Sequence, residues 1–232
     1  MVNMKIYTVG KSTDVKVQDE IREPFFVDKE RELDNINSQN DMYCECVAMY
    51  YLWKHNTDDV VGIEHYRRNF YDMFTYRLLG KEGIELYLKK YDVIMPYKNK
   101  DVVKENLYTD ISQHITEEGT KVLLNTIKKL YGEDEYNYYT EYLQNTCKCG
   151  FNLFITRKEI FDKYAEWYFT LIKEIEKQIK LPKRSYGYIS EFLLYGFLTR
   201  MNLKIKNLPF LFNYFGRIKI NDGIMNLKEN YI

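Results

Sequence analysis

The densest run of chemically capable side chains in this 232-residue chain is His65-Tyr66-Arg67-Arg68. It follows Val60-Val61-Gly62-Ile63, a brief β-branched run that reads as a buried strand, so two guanidiniums and an imidazole emerge where that strand stops. Adjacent arginines can clamp phosphate through paired N–H donors. The same residues also suit an exposed turn whose arginines pair with Glu64 or Asp72, and the pattern alone leaves both readings open. Other chemistries are removed by inspection. The chain has no phosphate-binding G-x-x-x-x-G-K-[ST], no G-x-G-x-x-G, no G-x-S-x-G, no H-E-x-x-H and no Asp-x-Asp. Its three histidines, His55, His65 and His114, are too few for a multi-histidine metal site. Cys44/Cys46 and Cys147/Cys149 form two C-x-C pairs, spaced more tightly than zinc half-sites, and read as small buried apolar side chains.

Elements that would position this cluster follow from periodicity. Lys5–Gly10 reads as a first strand ending in a ligand-facing loop, and residues 11–41 as a long polar loop. Apolar residues at helical spacing predict helices over Met42–Lys54, Glu82–Tyr91, about 117–131, about 134–145, Arg157–Ile179 and Ile189–Met201. Strands are predicted at Asp92–Pro96, Phe151–Ile155 and 203–208, before an aromatic tail. Strands alternating with helices of this length predict an α/β layered fold, single-domain over 1–232, with a mostly parallel central sheet flanked by helices. Ligands of such sheets sit beyond the carboxyl ends of strands.

Composition narrows the function classes. Lys+Arg and Asp+Glu both count 34, which leaves no basic field to gather a polynucleotide, so nucleic acid is not an expected partner. No apolar run approaches the roughly 18 residues of a membrane span and no signal-peptide pattern opens the chain, so a cytoplasmic location is expected. The 23 tyrosines and 13 phenylalanines supply many flat, half-polar rings, most of them destined for core and helix faces.

Several segments together resemble a known family. They are Tyr43-Cys44-Glu45 through Lys54, Val61-Gly62-Ile63, His65-Tyr66-Arg67-Arg68-Asn69-Phe70 and Tyr91-Asp92-Val93-Ile94-Met95-Pro96. Phe151-Asn152-Leu153-Phe154-Ile155 with the following Lys158–Trp167, and Ile189-Ser190-Glu191-Phe192-Leu193-Leu194, continue the match. In order and spacing they resemble the bacterial capsular and exopolysaccharide glycosyltransferases of the HYRR type, whose domain was formerly catalogued as of unknown function. The resemblance runs from Met4 to about Leu208, leaving about 209–232 as a C-terminal extension.

That resemblance implies a GT-A-like, Rossmann-like fold in which the HYRR block stands where related enzymes carry Asp-x-Asp. A departing nucleoside diphosphate needs a bound cation or fixed protein cations, so Arg67 and Arg68 are expected to replace the metal, and no divalent cofactor is expected. His65 and Tyr66 would donate further hydrogen bonds to phosphate or donor sugar. Glu191 would deprotonate the acceptor hydroxyl in an inverting transfer; the plainer alternative is a helix-start glutamate behind a Ser190 cap. Thr8, Val9, Gly10, Asp34, Asn35, Ile36 and Glu45 are the positions the resemblance favours for donor base and ribose, with Asn152 toward the donor sugar. The implied activity is transfer from a nucleotide sugar, UDP-sugar first, to a lipid-linked or saccharide acceptor in capsule or exopolysaccharide synthesis. Peripheral contact with the inner face of the membrane would run through the tail Lys204–Lys219, for which a plain edge strand and packed tail is the favoured reading. The competing expectation is a non-catalytic nucleotide- or carbohydrate-binding module of a polysaccharide assembly complex.

Overall fold

Three parallel strands form one half of the central sheet: β1 (Met4–Gly10), β2 (Arg22–Phe26) and β3 (Val60–His65), with β1 between the other two. The computed structural model describes residues 2–14, 17–98, 105–214 and 217–221. On its other flank β3 pairs antiparallel with β7 (Phe154–Arg157), which pairs antiparallel with β6 (Val93–Pro96), and β8 (Ile205–Leu208) closes that edge parallel to β6. Past His65 the chain reverses tightly into β4 (Arg68–Asp72), which begins an antiparallel ribbon with β5 (Arg77–Leu78), β9 (Phe210–Tyr214) and β10 (Arg217–Asn221). The layered α/β class therefore holds, but the sheet is mixed and not mostly parallel. Three of the nine described strand pairings are parallel. The helices the sequence shows do separate strands, yet the chain also returns through hairpins and through β7, which apolar periodicity cannot orient.

The sheet has a thick and a thin side. Val61, Ile63, Val93, Met95 and Phe154 point into the larger core beneath α2 (Cys46–His55), α4 (Leu107–Ile115), α5 (Glu117–Tyr131), α6 (Glu133–Tyr142), α7 (Lys158–Glu176) and α8 (Ser185–Arg200). Ile6, Val60, Ile94 and Ile155 face a smaller core under α3 (Lys81–Leu88). Gly62 lies where strands crowd: a Cβ there would stand 2.6 Å from Ile6 Cδ1 and 2.8 Å from Ile155 Cγ1. Helix ends obey local chemistry. The Asn106 side chain accepts from Thr109 N at the start of α4, and Thr116 Oγ1 accepts from Gly119 N at the start of α5. The helix α4 is absent from the sequence reading because Thr109, Asp110, Ser112 and His114 dilute its buried Leu107, Ile111 and Ile115 stripe.

Four further expectations are corrected. Residues 11–41 are not one loop: they hold β2, whose Pro24 sits on the outer strand of the sheet, where a missing N–H costs nothing. The helix predicted over 42–54 is broken into α1 (Asn40–Tyr43) and α2, because Cys44 adopts φ 52°. The strand predicted at 151–155 begins only at Phe154, since Phe151 and Asn152 both take positive φ, 81° and 47°. The last helix starts at Ser185, not Ile189, so Glu191 lies in its second turn and Ser190 is no cap. The tail takes the form of strands, supplying β8, β9 and β10 to the sheet, and residues 222–232 lie outside the described ones.

The β3–β4 reversal is stitched from below by one buried carboxylate. Glu64, fully buried, accepts from Arg22 Nε at 2.8 Å, Arg22 NH2 at 3.1 Å, Asn69 Nδ2 at 2.7 Å and Phe70 N at 2.9 Å. Arg22, 1% exposed, also donates to Asp19 and to the Leu79 carbonyl. Breaking such a pair strands a charge in the interior. Glu64→Gln is expected to lose about 3–5 kcal/mol of stability in urea denaturation; a loss below about 1 kcal/mol would mean that water or a neighbour relieves Arg22.

Candidate active site

A cleft of about 800 Å³ opens beyond the carboxyl ends of β1 and β3. Its walls carry Val9, Gly10, Glu45, His65, Tyr66, Arg67, Arg68 and Glu191 from the residues expected at a site. Gly10 is demanded by close approach, since a Cβ would lie 2.9 Å from both Tyr66 Cβ and Asp14 Oδ2.

The arginines stand on aromatic faces instead of pairing with Glu64, which Arg22 occupies. The Arg68 guanidinium carbon is 4.2 Å from the Phe151 ring centroid and 5.0 Å from that of Phe212, and that of Arg67 is 4.9 Å from the Tyr66 ring. Burial and the Arg67 charge pull the Arg68 pKa below its ordinary value, against Glu191 and Glu45, which hold it up. His65 Nδ1 lies 3.3 Å from Arg68 NH1, and among the described residues its buried Nε2 has no partner of hydrogen-bond geometry, although the Phe151 backbone acts on the ring. Burial, with Arg68 and Arg67 adding to it, pushes the His65 pKa down to about 3, so this imidazole is neutral across the physiological range. A neutral ring can donate a hydrogen bond to an anion but contributes no charge to holding it.

Across the cleft are the carboxylates. Glu45 stands at the break between α1 and α2, and its Oε1 accepts from Asn152 Nδ2 at 2.7 Å. Asn152 is itself held: its Oδ1 accepts from Ser190 Oγ at 2.7 Å, and Ser190 Oγ lies 2.8 Å from Tyr164 OH. Desolvation first, then the Glu191 charge, push Glu45 up to about 7, with the Asn152 bond and Arg184 pulling down. Glu191 is raised by desolvation too, while Lys148, 3.8 Å from its Oε2, Arg68 and Arg184 oppose the shift. Both side chains keep a sliver of surface in the cleft wall, 16% for Glu191, although protein surrounds them on every other side.

Five expected positions do not line this cleft. Thr8 is fully buried in β1. Asp34 accepts from Tyr50 OH and its carbonyl meets His55 Nε2, which ties the loop to α2. Asn35 organises its own loop through the Arg31 and Leu33 carbonyls and lines a separate cavity of about 320 Å³, and Ile36 packs against the core. Asn152, 2% exposed, lies beneath Glu45. Sequence reasoning missed Arg184 and Lys183, which line the cleft, and Lys148 beside Glu191. A basic pair just ahead of a helix opposes the macrodipole, and that misfit at Lys183-Arg184 was the signal available. Among the described residues no three His, Cys, Asp or Glu side chains converge as metal ligands. No helix among them is long and apolar enough to cross a membrane.

Fold and cleft thus define a mixed α/β protein with an arginine-lined site at its strand ends. Residues 4–202 match the family described as Domain of unknown function (DUF4422), and the chain belongs to that family. Among solved structures it is similar to the WbbM bifunctional glycosyltransferase in its apo form, with a TM-score of 0.78 and 23% identity. The likeness covers 90% of this chain and 45% of the other, so the chain spans less than half of that protein. No curated protein matches the sequence.

The raised Glu45 carboxyl sets a pH dependence. Its protonated form is the one the fold prefers, so its contribution to stability is present below the ordinary glutamate range and is lost as pH climbs through about 7. Glu45→Gln is therefore expected to match the parent's urea midpoint at pH 5 and exceed it at pH 8; equal midpoints at both would show that Glu45 ionises normally.

Proposed function

We propose that the protein is a glycosyltransferase that moves a sugar from a nucleotide donor, uridine-linked first, to a lipid-linked or saccharide acceptor. The transfer is metal-independent and inverting, and serves a surface polysaccharide. The observation that carries this reading is the opposition, within one cleft at the strand ends, of stacked guanidiniums to two carboxylates. The fold likeness to a glycosyltransferase supports it.

Chemically, the acceptor oxygen attacks the anomeric carbon as its proton passes to the Glu191 carboxylate, and the bond to the diphosphate oxygen breaks with its electron pair. Charge accumulates on the diphosphate. Arg67 and Arg68, desolvated and fixed on aromatic faces, stabilise it without reorganising, which makes fixed cations effective. Arg184, at the start of α8, adds a third positive group at the rim. Asn152 acts by positioning Glu45 and not by touching the sugar. The peripheral membrane placement belongs to this reading through its lipid-linked acceptor.

A thermal-shift panel of UDP-, GDP-, dTDP- and CMP-sugars, each with chelator or with Mn²⁺, tests the donor. UDP-sugars should raise the melting temperature most, equally with and without metal, and Arg68→Met should lose at least about tenfold in donor affinity. Glu191→Gln should abolish turnover while leaving donor binding intact. Chelator-sensitive turnover would remove the arginines from the metal's role, and binding with no release of nucleoside diphosphate would assign a non-catalytic module.

A further inference from the structure

Glu45 and Glu191 line one cleft, and the elements that carry them pack against each other. The α1–α2 break lies against α8 at Gly187, where a Cβ would stand 3.0 Å from Cys44 Cβ and 3.1 Å from Cys44 Sγ. Glu191 is four residues further along, on the same helix face. One amide links the two sides: Asn152 Nδ2 donates to Glu45 Oε1 at 2.7 Å and to the Gly187 carbonyl at 3.3 Å, while its Oδ1 holds Ser190, the residue before Glu191. The cations are distributed unequally. Lys148 stands 3.8 Å from Glu191, whereas among the described residues no lysine or arginine reaches ion-pair distance of Glu45.

We propose that Glu45 and Glu191 act as a coupled pair carrying a single proton, resident on Glu45, and that an anionic diphosphate enters the cleft together with that proton. The inference rests on the nucleotide-sugar reading of the cleft and adds a coupling to it. Two bare carboxylates facing Arg67 and Arg68 would repel a diphosphate and compete with it for the guanidiniums. With one proton the pair carries a single charge, and the neutral carboxyl becomes a hydrogen-bond donor. Glu191 keeps its charge beside Lys148 and remains the proton acceptor for catalysis, while Glu45 keeps the proton.

The groups facing the dyad come from every neighbouring element. They are Cys44 and Cys46 from the α1–α2 break, Arg184 just ahead of α8 and Tyr188 on it, and His65, Arg67 and Arg68 from the β3–β4 reversal. Lys148 stands beside Glu191, with Asp110 and His114 behind it on α4, and Tyr164 lies below. The fixed cations favour ionisation and each carboxylate opposes it in the other, so an added anion shifts the balance towards protonation.

Calorimetric titration with UDP at pH 8, in two buffers of different ionisation enthalpy, reads the coupling. The parent is expected to take up about half a proton or more per UDP at pH 8, and close to none at pH 5.5, where the dyad is already loaded. Glu45→Gln should lose the uptake at pH 8. Binding without uptake in the parent, or uptake that survives in Glu45→Gln and so resides on His65 or elsewhere, would overturn the dyad. If UDP does not bind the parent at all, the nucleotide reading falls, and the dyad is then judged on the free protein by carboxyl ¹³C resonances of labelled glutamate. A resonance titrating near neutrality, absent in Glu45→Gln and moved downward in Glu191→Gln, supports it; carboxyls that all titrate in the ordinary range overturn it.

Discussion

A single buried carboxylate, that of Glu64, organises the cleft end of the sheet. It is the residue before His65, and its two oxygens are used up by Arg22 from β2 and by Asn69 and Phe70 from β4. The reversal between them, Tyr66-Arg67, is therefore closed at its base by hydrogen bonds to charge, which are stronger than neutral ones. The consequence for chemistry is subtractive. With Glu64 committed below, the arginines meet aromatic faces, and both line the cleft.

The aromatic load has a corresponding division of labour. Most rings fill the large core, as where Tyr164, Tyr168, Phe161 and Phe197 pack between α7 and α8. A few do something else: Phe151, Tyr66 and Phe212 lie against guanidiniums, and Tyr188 stacks on His114 at 4.0 Å beside the cleft. A ring under a guanidinium keeps bulk water from one face of the cation while leaving its in-plane donors available for other partners.

Legibility in the sequence followed the range of the interactions involved. The HYRR block was readable because it is contiguous and follows a β-branched run, and α5 and α7 because their apolar stripes repeat over four or more turns. Glu191 and Glu45 were legible only by resemblance, being single residues in ordinary contexts. What was not legible depends on contacts across the chain. Strand β2 hides behind a charged Arg22 and a proline, and that arginine is buried largely through partners remote in sequence, Glu64 and the Leu79 carbonyl, 42 and 57 residues away. The direction of β7 and the departure of Asp34–Ile36 from the cleft are likewise set by partners remote in sequence. Lys148 illustrates the limit: nothing local marks it, yet it stands between Asp110 and Glu191.

The two halves of the site meet at Phe151 and Asn152, and the backbone there carries strain. Consecutive non-glycine residues at positive φ cost on the order of 1–3 kcal/mol each, so the surroundings must over-determine them. They do, in opposite directions. Phe151 sends its ring beneath Arg68, on the guanidinium wall, while Asn152 sends its amide to Glu45 and Ser190, on the carboxylate wall. An extended backbone would place successive side chains on opposite faces of β7, one of them in the core. The left-handed pair instead lets two neighbours serve the two walls of one cleft just before the strand begins. Relaxing that turn would move cation and carboxylate together, so the strained dipeptide fixes the separation on which any chemistry between them depends.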